Sequence, residues 1–191
     1  MYGLTITRTG SDDPVTLTEI KAHVRQDLDV DDTVLADLVS AAAQKYEEDT
    51  GKVLRQSTVA LTLDSWPRHG VIQIPRAPIS SVTSITYLED GQSSPTTLSD
   101  TLYRFDGSRQ IPRVVLKKDE QWPTATLEHG SPITVTCVGG YADGSVPERD
   151  KHALKLLVGH WYANRETAVV GAITASVPEA YRALALGDRT W

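Results

Sequence analysis

The chain has 191 residues, 40% of them apolar and 23% charged, with a formal net charge of −6. That length supports one substantial core or two small units. The acidic balance argues against wrapping a phosphate backbone, which needs clustered Lys and Arg. No apolar run approaches a membrane span, and the start MYGLTITRTGSDD lacks the basic-then-apolar pattern of a secretory signal.

In chain order, Thr16-Leu17-Thr18-Glu19 has the form of a capping box. The Thr16 hydroxyl can accept the amide proton three residues on, while Glu19 reaches back. Leu17, Ile20, Val24 and Leu28 follow helical spacing, which predicts a helix over 17–28. Asp29 to Asp32 breaks it and supplies a new N-cap. Val34, Leu35, Leu38, Val39, Ala42 and Tyr46 then form the apolar stripe of a second helix over 32–50, with Gly51 placed to close it in the left-handed conformation. Ala41-Ala42-Ala43 has no bulk and lets another helix approach closely.

From Val53 the period changes from that of a helix to two. Val59, Leu61 and Leu63 alternate with polar or small residues up to Trp66-Pro67. Further strands are predicted at 71–74, 82–88, 102–105, 113–116 and 133–138. Short strands at such intervals, with repeated prolines, indicate a small antiparallel sandwich or barrel-like unit. Ser145-Val146-Pro147-Glu148 starts another helix, carrying Leu154, Leu157, Val158 and Trp161 on one face. The same four letters at Ser176-Val177-Pro178-Glu179 predict a short last helix with Ala180, Tyr181, Leu184 and Leu186, stopped by Gly187. The order is helical, β-rich, helical.

Asp27-x-Asp29-x-Asp31 opens like a calcium loop, but Asp32 stands at the glycine position and Leu38 at the closing glutamate position, so the loop cannot turn or complete its shell. The histidines at 23, 69, 129, 152 and 160 form no HExxH pair, and His152 and His160 are too far apart on one helix to share a metal. There is no nucleophile elbow, no phosphate-binding P-loop and no GxGxxG run. Gly139-Gly140 reads as a bend between strand and helix. Cys137, the sole cysteine, lies in the alternating run 133–138 and reads as a small buried strand residue. His160 reads as a core or interface histidine and His152 as solvated. Trp66 and Trp122 each precede a proline and read as covers over the β core. No catalytic residue, metal ligand or cofactor-binding residue is assigned.

Several stretches carry a resemblance. They are 15–25 (VTLTEIKAHVR), 41–43 to 50–52 (AAA to TGK), 61–67 (LTLDSWP), 74–79 (IPRAPI) with 81–87 (SVTSITY), 139–141 (GGY) before 146–147 (VP), and 157–166 (LVGHWYANRE). In this order and spacing the chain resembles the tailed-phage, prophage and gene-transfer-agent head–tail connector (adaptor) family, in its long form with a β-rich insertion. No single motif decides it.

The resemblance implies an α+β fold, a helical bundle formed by the N- and C-terminal segments with an inserted small antiparallel β unit. Its expected division is 1–53 and 146–191 as a discontinuous helical connector domain, with 54–145 as the insertion. It implies a structural virion protein without catalytic residues or cofactors, forming a ring, commonly twelvefold, that docks on the portal protein and continues the DNA channel to the tail. The implied partners are the portal, neighbouring copies and a stopper or tail-completion protein. DNA passes without sequence-specific binding, and no membrane is involved. The implied location is the virion neck, and the host cytoplasm during assembly. Ile173, Val177, Tyr181, Leu184 and Trp191 are the candidate contacts to the portal or the next subunit, or else they complete the subunit's own helical core. A head-completion stopper or tail terminator is the alternative function, and a small enzyme of unfamiliar type comes third.

Overall fold

The computed structural model describes residues 2–10, 13–164 and 179–187. The fold is α+β, and the chain divides into two compact units, one of strands and one of helices.

The β unit holds residues 2–10 and 55–140. Its strands are β1 (Tyr2–Arg8), β2 (Ser57–Leu63), β3 (Val71–Gln73), β4 (Ile79–Tyr87), β5 (Thr96–Thr97), β6 (Tyr103–Asp106), β7 (Arg113–Leu116) and β8 (Ile133–Gly139). Five of them form an antiparallel sheet in the order β1-β2-β8-β4-β5, and three form a second sheet in the order β3-β7-β6. Period-two alternation sorts the larger sheet into two faces. Val59, Leu61, Ile133, Val135, Cys137 and Ile85 are buried on one face. Thr58, Thr62, Thr134 and Thr136 line the other and are half-exposed. Burying each large aliphatic side chain contributes about 1.5–3 kcal/mol, so the apolar face sets the register: a slip by one residue would turn threonines into the core. The second sheet adds Ile72, Val114 and Tyr103 to the buried set.

Strand β1 corrects the sequence reading, which carried residues 1–53 into the helical unit. Tyr2–Arg8 pairs with β2 along its whole length, from Tyr2↔Leu63 to Arg8↔Ser57. Its alternation of Tyr2, Leu4 and Ile6 with Gly3, Thr5 and Thr7 is a strand pattern, but its partner lies fifty residues on and no turn signal links the two. The two-residue β5 was also missing from the predicted strands.

One glycine is dictated by space. At Gly140, φ is +88° and an added Cβ would sit 2.0 Å from the Arg55 carbonyl oxygen. Only glycine fits where β8 ends and the backbone turns away.

The helical unit holds residues 13–54, 141–164 and 179–187 of the described chain. It comprises α1 (Leu17–Val24), α2 (Asp32–Thr50), α3 (Glu148–Ala163) and α4 (Glu179–Leu186). Both halves of the capping box are present on α1. Glu19 N–H donates to Thr16 Oγ1 at 3.2 Å, and Thr16 N–H donates to Glu19 Oε2 at 2.8 Å. The helix is shorter than predicted, because Arg25 takes the left-handed conformation at φ 57° and ends it. A single 3₁₀ turn, Asp29–Asp31, follows. Lys21 ties that turn down, with Nζ 2.6 Å from Asp29 and 2.9 Å from Asp32. α2 runs over the predicted span and closes on Gly51 at φ 71°. α3 starts after Pro147, which stands in the cap position. Ile20, Leu35, Val39, Tyr46, Leu154, Leu157, Val158 and Tyr181 form one core, and Ala42 and Ala43 let the helices close on it.

Candidate functional site

Inside the helical unit, polar groups are spent on holding helices together. Asp150, in the first turn of α3, is completely buried. It accepts the Tyr46 hydroxyl at 2.8 Å and Lys52 Nζ at 3.0 Å on each carboxylate oxygen. A buried carboxylate is tolerated only when paired and hydrogen-bonded in this way. Glu47 accepts the Leu54 N–H at 2.7 Å, which holds the chain as it leaves α2. Asp49 accepts the Tyr181 hydroxyl at 2.7 Å and pairs with Lys45. Glu19 faces Lys155 at 3.5 Å and Lys151 at 3.9 Å on α3. The Thr16 backbone N–H, opposed by burial and aided by Lys155 and Lys151, holds the Glu19 carboxyl below its ordinary value.

Of the five candidate contact residues, Tyr181 and Leu184 are described and Ile173, Val177 and Trp191 lie outside the described residues. Tyr181 is 2% exposed and crosses the Tyr46 ring edge-on at 6.2 Å. Leu184 packs against the same core. Both complete the helical core of this chain, and α4 docks through them.

The acidic triplet that opens like a calcium loop is used within the protein. Asp29 pairs with Lys21, and Asp31 accepts the Tyr162 hydroxyl at 2.6 Å and Gln26 Nε2 at 3.2 Å. Among the described residues no group of three His, Cys, Asp or Glu side chains could hold a metal ion. Cys137 is buried, and burial pushes its thiol up to about 12, far from the range of a reactive thiolate. His152 is exposed, and its ring meets that of His23 edge-on at 6.5 Å.

In the β unit, Trp66 and Trp122 stack face to face at 4.8 Å, and Trp66 crosses Tyr87 edge-on at 5.7 Å. Trp122 Nε1 donates to the Pro67 carbonyl at 3.0 Å. Beside them a groove of about 540 Å³ is lined by Arg68, His69, Gly70, Glu120 and Trp122 among others. It brings together no nucleophile with a hydrogen-bonded base, so it offers no catalytic constellation.

The surface carries clearer signals than the interior. Leu28 is 67% exposed, Val30 83% and Val34 40%, clustered where the 3₁₀ turn enters α2. The helical periodicity had assigned Leu28 and Val34 to buried stripes. The early end of α1 at Arg25 leaves Leu28 outside the helix, and Val34 stands in the first turn of α2 with its side chain partly in solvent. No apolar period marks Val30, which sits between Asp29 and Asp31 in the 3₁₀ turn. The second signal is on β1, where Tyr2 is 60% exposed and Ile6 37%, although both lie on the core face of the sheet. No helix among the described residues is long and apolar enough to cross a membrane.

No protein-family model matches the chain, and no curated protein matches it by sequence. Solved structures do match by fold. A chain from the neck of an empty gene-transfer-agent (GTA) particle, computed with C6 symmetry, aligns at TM-score 0.77 with 21% identity. A chain from the virion of the native GTA particle aligns at 0.78 with 20% identity. One from the neck of the native GTA particle, computed with C12 symmetry, aligns at 0.73 with 21% identity. Each alignment covers 98% of this chain and 96% of the other. The chain therefore shares its fold, over both units, with chains of the GTA neck and virion.

Proposed function

We propose that this chain is a non-catalytic structural subunit of the neck of a tailed-phage or gene-transfer-agent particle. In the finer reading it is the head–tail connector, a twelvefold ring that docks on the portal and carries the DNA channel toward the tail. The observation that supports this is the fold likeness to neck chains, which spans both units. The internal use of Asp150, Asp49 and Asp31 is in keeping with it: these carboxylates join segments of the helical unit. The net charge of −6 suits a passage through which DNA must slide without being held.

The exposed trio Leu28, Val30 and Val34 is the surface best suited to a neighbouring copy in the ring, because adjacent apolar side chains left in water mark contact sites. Ile173, Val177 and Trp191 are proposed for the portal contact, together with a stopper or tail-completion protein on the far side of the ring.

The test is electron microscopy of the purified subunit alone and mixed with the portal of the same particle. A twelvefold ring on the portal is the expected result. A subunit indifferent to the portal overturns the proposal. A ring that binds tail components but not the portal favours a stopper or tail terminator instead. Val30→Asp should weaken ring formation without lowering the melting temperature. Ile173→Asp with Val177→Asp should weaken portal binding in a folded subunit.

A further inference from the structure

Among the described residues, no strand pairs with the outer edge of β1. β1 ends the strand order of the five-stranded sheet, and six of its seven residues are exposed, with Leu4 half-buried. The side chains alternate cleanly. Tyr2, Leu4, Ile6 and Arg8 continue the core face, opposite Leu63, Leu61, Val59 and Ser57 of β2. Gly3, Thr5 and Thr7 continue the threonine face. The Thr9 N–H donates to the Gln56 carbonyl, directly opposite it in the extended register, at 3.0 Å. Antiparallel ladders alternate, so the backbone groups of Tyr2, Leu4 and Ile6 turn away from β2 toward the outer edge.

Soluble proteins guard such edges with proline, lysine, bulges or covering segments. β1 has no proline or lysine, and its register with β2 runs without a shift. The opposite side of the sheet is guarded. β4 carries two register irregularities against β8, and β5 covers its end at Thr86 and Tyr87. One edge is thus protected, while the other presents a straight seven-residue template.

The chemistry of β1 names its partner. About Thr5 the strand is self-complementary in antiparallel pairing. Leu4 of one copy meets Ile6 of another, Tyr2 meets Arg8, Gly3 meets Thr7 and Thr5 meets Thr5. Apolar meets apolar on the core face, an aromatic ring lies beside a guanidinium, and small polar residues meet on the outer face. The outward-turned residues also pair with one another in this register, so their N–H and C=O groups are satisfied. We infer that the free subunit associates with a second copy through β1, joining two five-stranded sheets into one across a two-fold axis. Such a contact closes on itself. It is distinct from the repeating contact of a ring, and it holds whether or not the neck reading does.

The test is sedimentation velocity over a concentration series, with two variants. Wild type is expected to show a monomer–dimer equilibrium. Ile6→Lys should weaken association by about tenfold or more, since a lysine on the edge opposes pairing. Thr5→Cys, which the two-fold brings against its own copy, should give a disulfide-linked dimer on mild oxidation, whereas Gln92→Cys in an exposed turn should not. Unchanged melting curves confirm that the variants fold. A monomer at every concentration, a dimer indifferent to Ile6→Lys, or a dimer that Thr5→Cys fails to link overturns the inference. A monomeric subunit that still forms rings on a portal overturns it alone and leaves the neck reading standing.

Discussion

Lys52 places its ammonium 3.0 Å from both carboxylate oxygens of Asp150, a residue ninety-eight positions later whose side chain is fully buried. The pair joins the chain just after α2 to the first turn of α3. Removing one member of such a pair leaves an uncompensated buried charge, at a cost of about 3–5 kcal/mol. Lys52→Met and Asp150→Ala should each lower stability by that order in urea denaturation followed by far-ultraviolet circular dichroism. The double variant should cost less than the sum of the two, because neither charge is then stranded.

Tyr181 is set between Tyr46 and Asp49, and this makes α4 part of the helical core. Burial, together with the Asp49 carboxylate, pushes its hydroxyl far above the ordinary range, so it remains a hydrogen-bond donor at any working pH. Tyr181→Phe removes a hydrogen bond to a charged group and should cost about 1.5–3 kcal/mol. Tyr181→Ala also leaves a cavity and should cost about 3–5 kcal/mol, with α4 becoming sensitive to proteolysis. Thermal denaturation and limited digestion check both. Weakened portal binding with unchanged stability would place Tyr181 at an interface instead.

Gly140 allows the shortest backbone approach described. Gly140→Ala forces a Cβ to within 2.0 Å of the Arg55 carbonyl oxygen at a positive φ. A loss of about 3 kcal/mol or more is expected, since both strain and backbone displacement are involved. Gly144→Ala is the control. It shares the positive φ, but nothing lies within 4 Å of its added Cβ, so it should cost only about 1 kcal/mol.

Asp106 receives the Ser108 hydroxyl at 2.7 Å and the Arg113 Nε at 3.0 Å. The Ser108 hydrogen bond, then that from Arg113, lowers its carboxyl from 3.8 to about 2. A depressed carboxyl favours the folded state above the unfolded value and loses that contribution as pH falls through the folded value. The contribution is therefore present above about pH 4 and disappears on the way to pH 2. Asp106→Asn should flatten the acid limb of the stability curve in that window. Arg113→Gln should raise the Asp106 carboxyl toward 3.8, read by carbon-detected NMR titration.

The features that were legible beforehand are those set within a few residues. The capping box at Thr16 and Glu19, the span of α2 with its Gly51 stop, and the alternation of β2 and β8 follow from local backbone preference and hydrophobic period. Local rules misled where the backbone broke rank. Arg25 adopted the left-handed conformation normally left to glycine, which ended α1 early and left Leu28 outside the helix and exposed. A helical stripe counted along the sequence assumes an unbroken helix, and nothing in 17–28 announces the break.

By itself, then, the sequence determined the α+β class, the capping box of α1, the Gly51 stop of α2, the buried strand face and the burial of Cys137, because each rests on contacts between near neighbours or on side-chain period. Only the tertiary structure decided that Tyr2–Arg8 is an edge strand of the β unit, that Lys52 neutralises Asp150, and that Tyr181 belongs to the core. Each of those depends on a partner roughly fifty or more residues away. Pairings across such distances are set by how the whole chain collapses around its apolar faces, and no local pattern encodes which distant residue will arrive opposite.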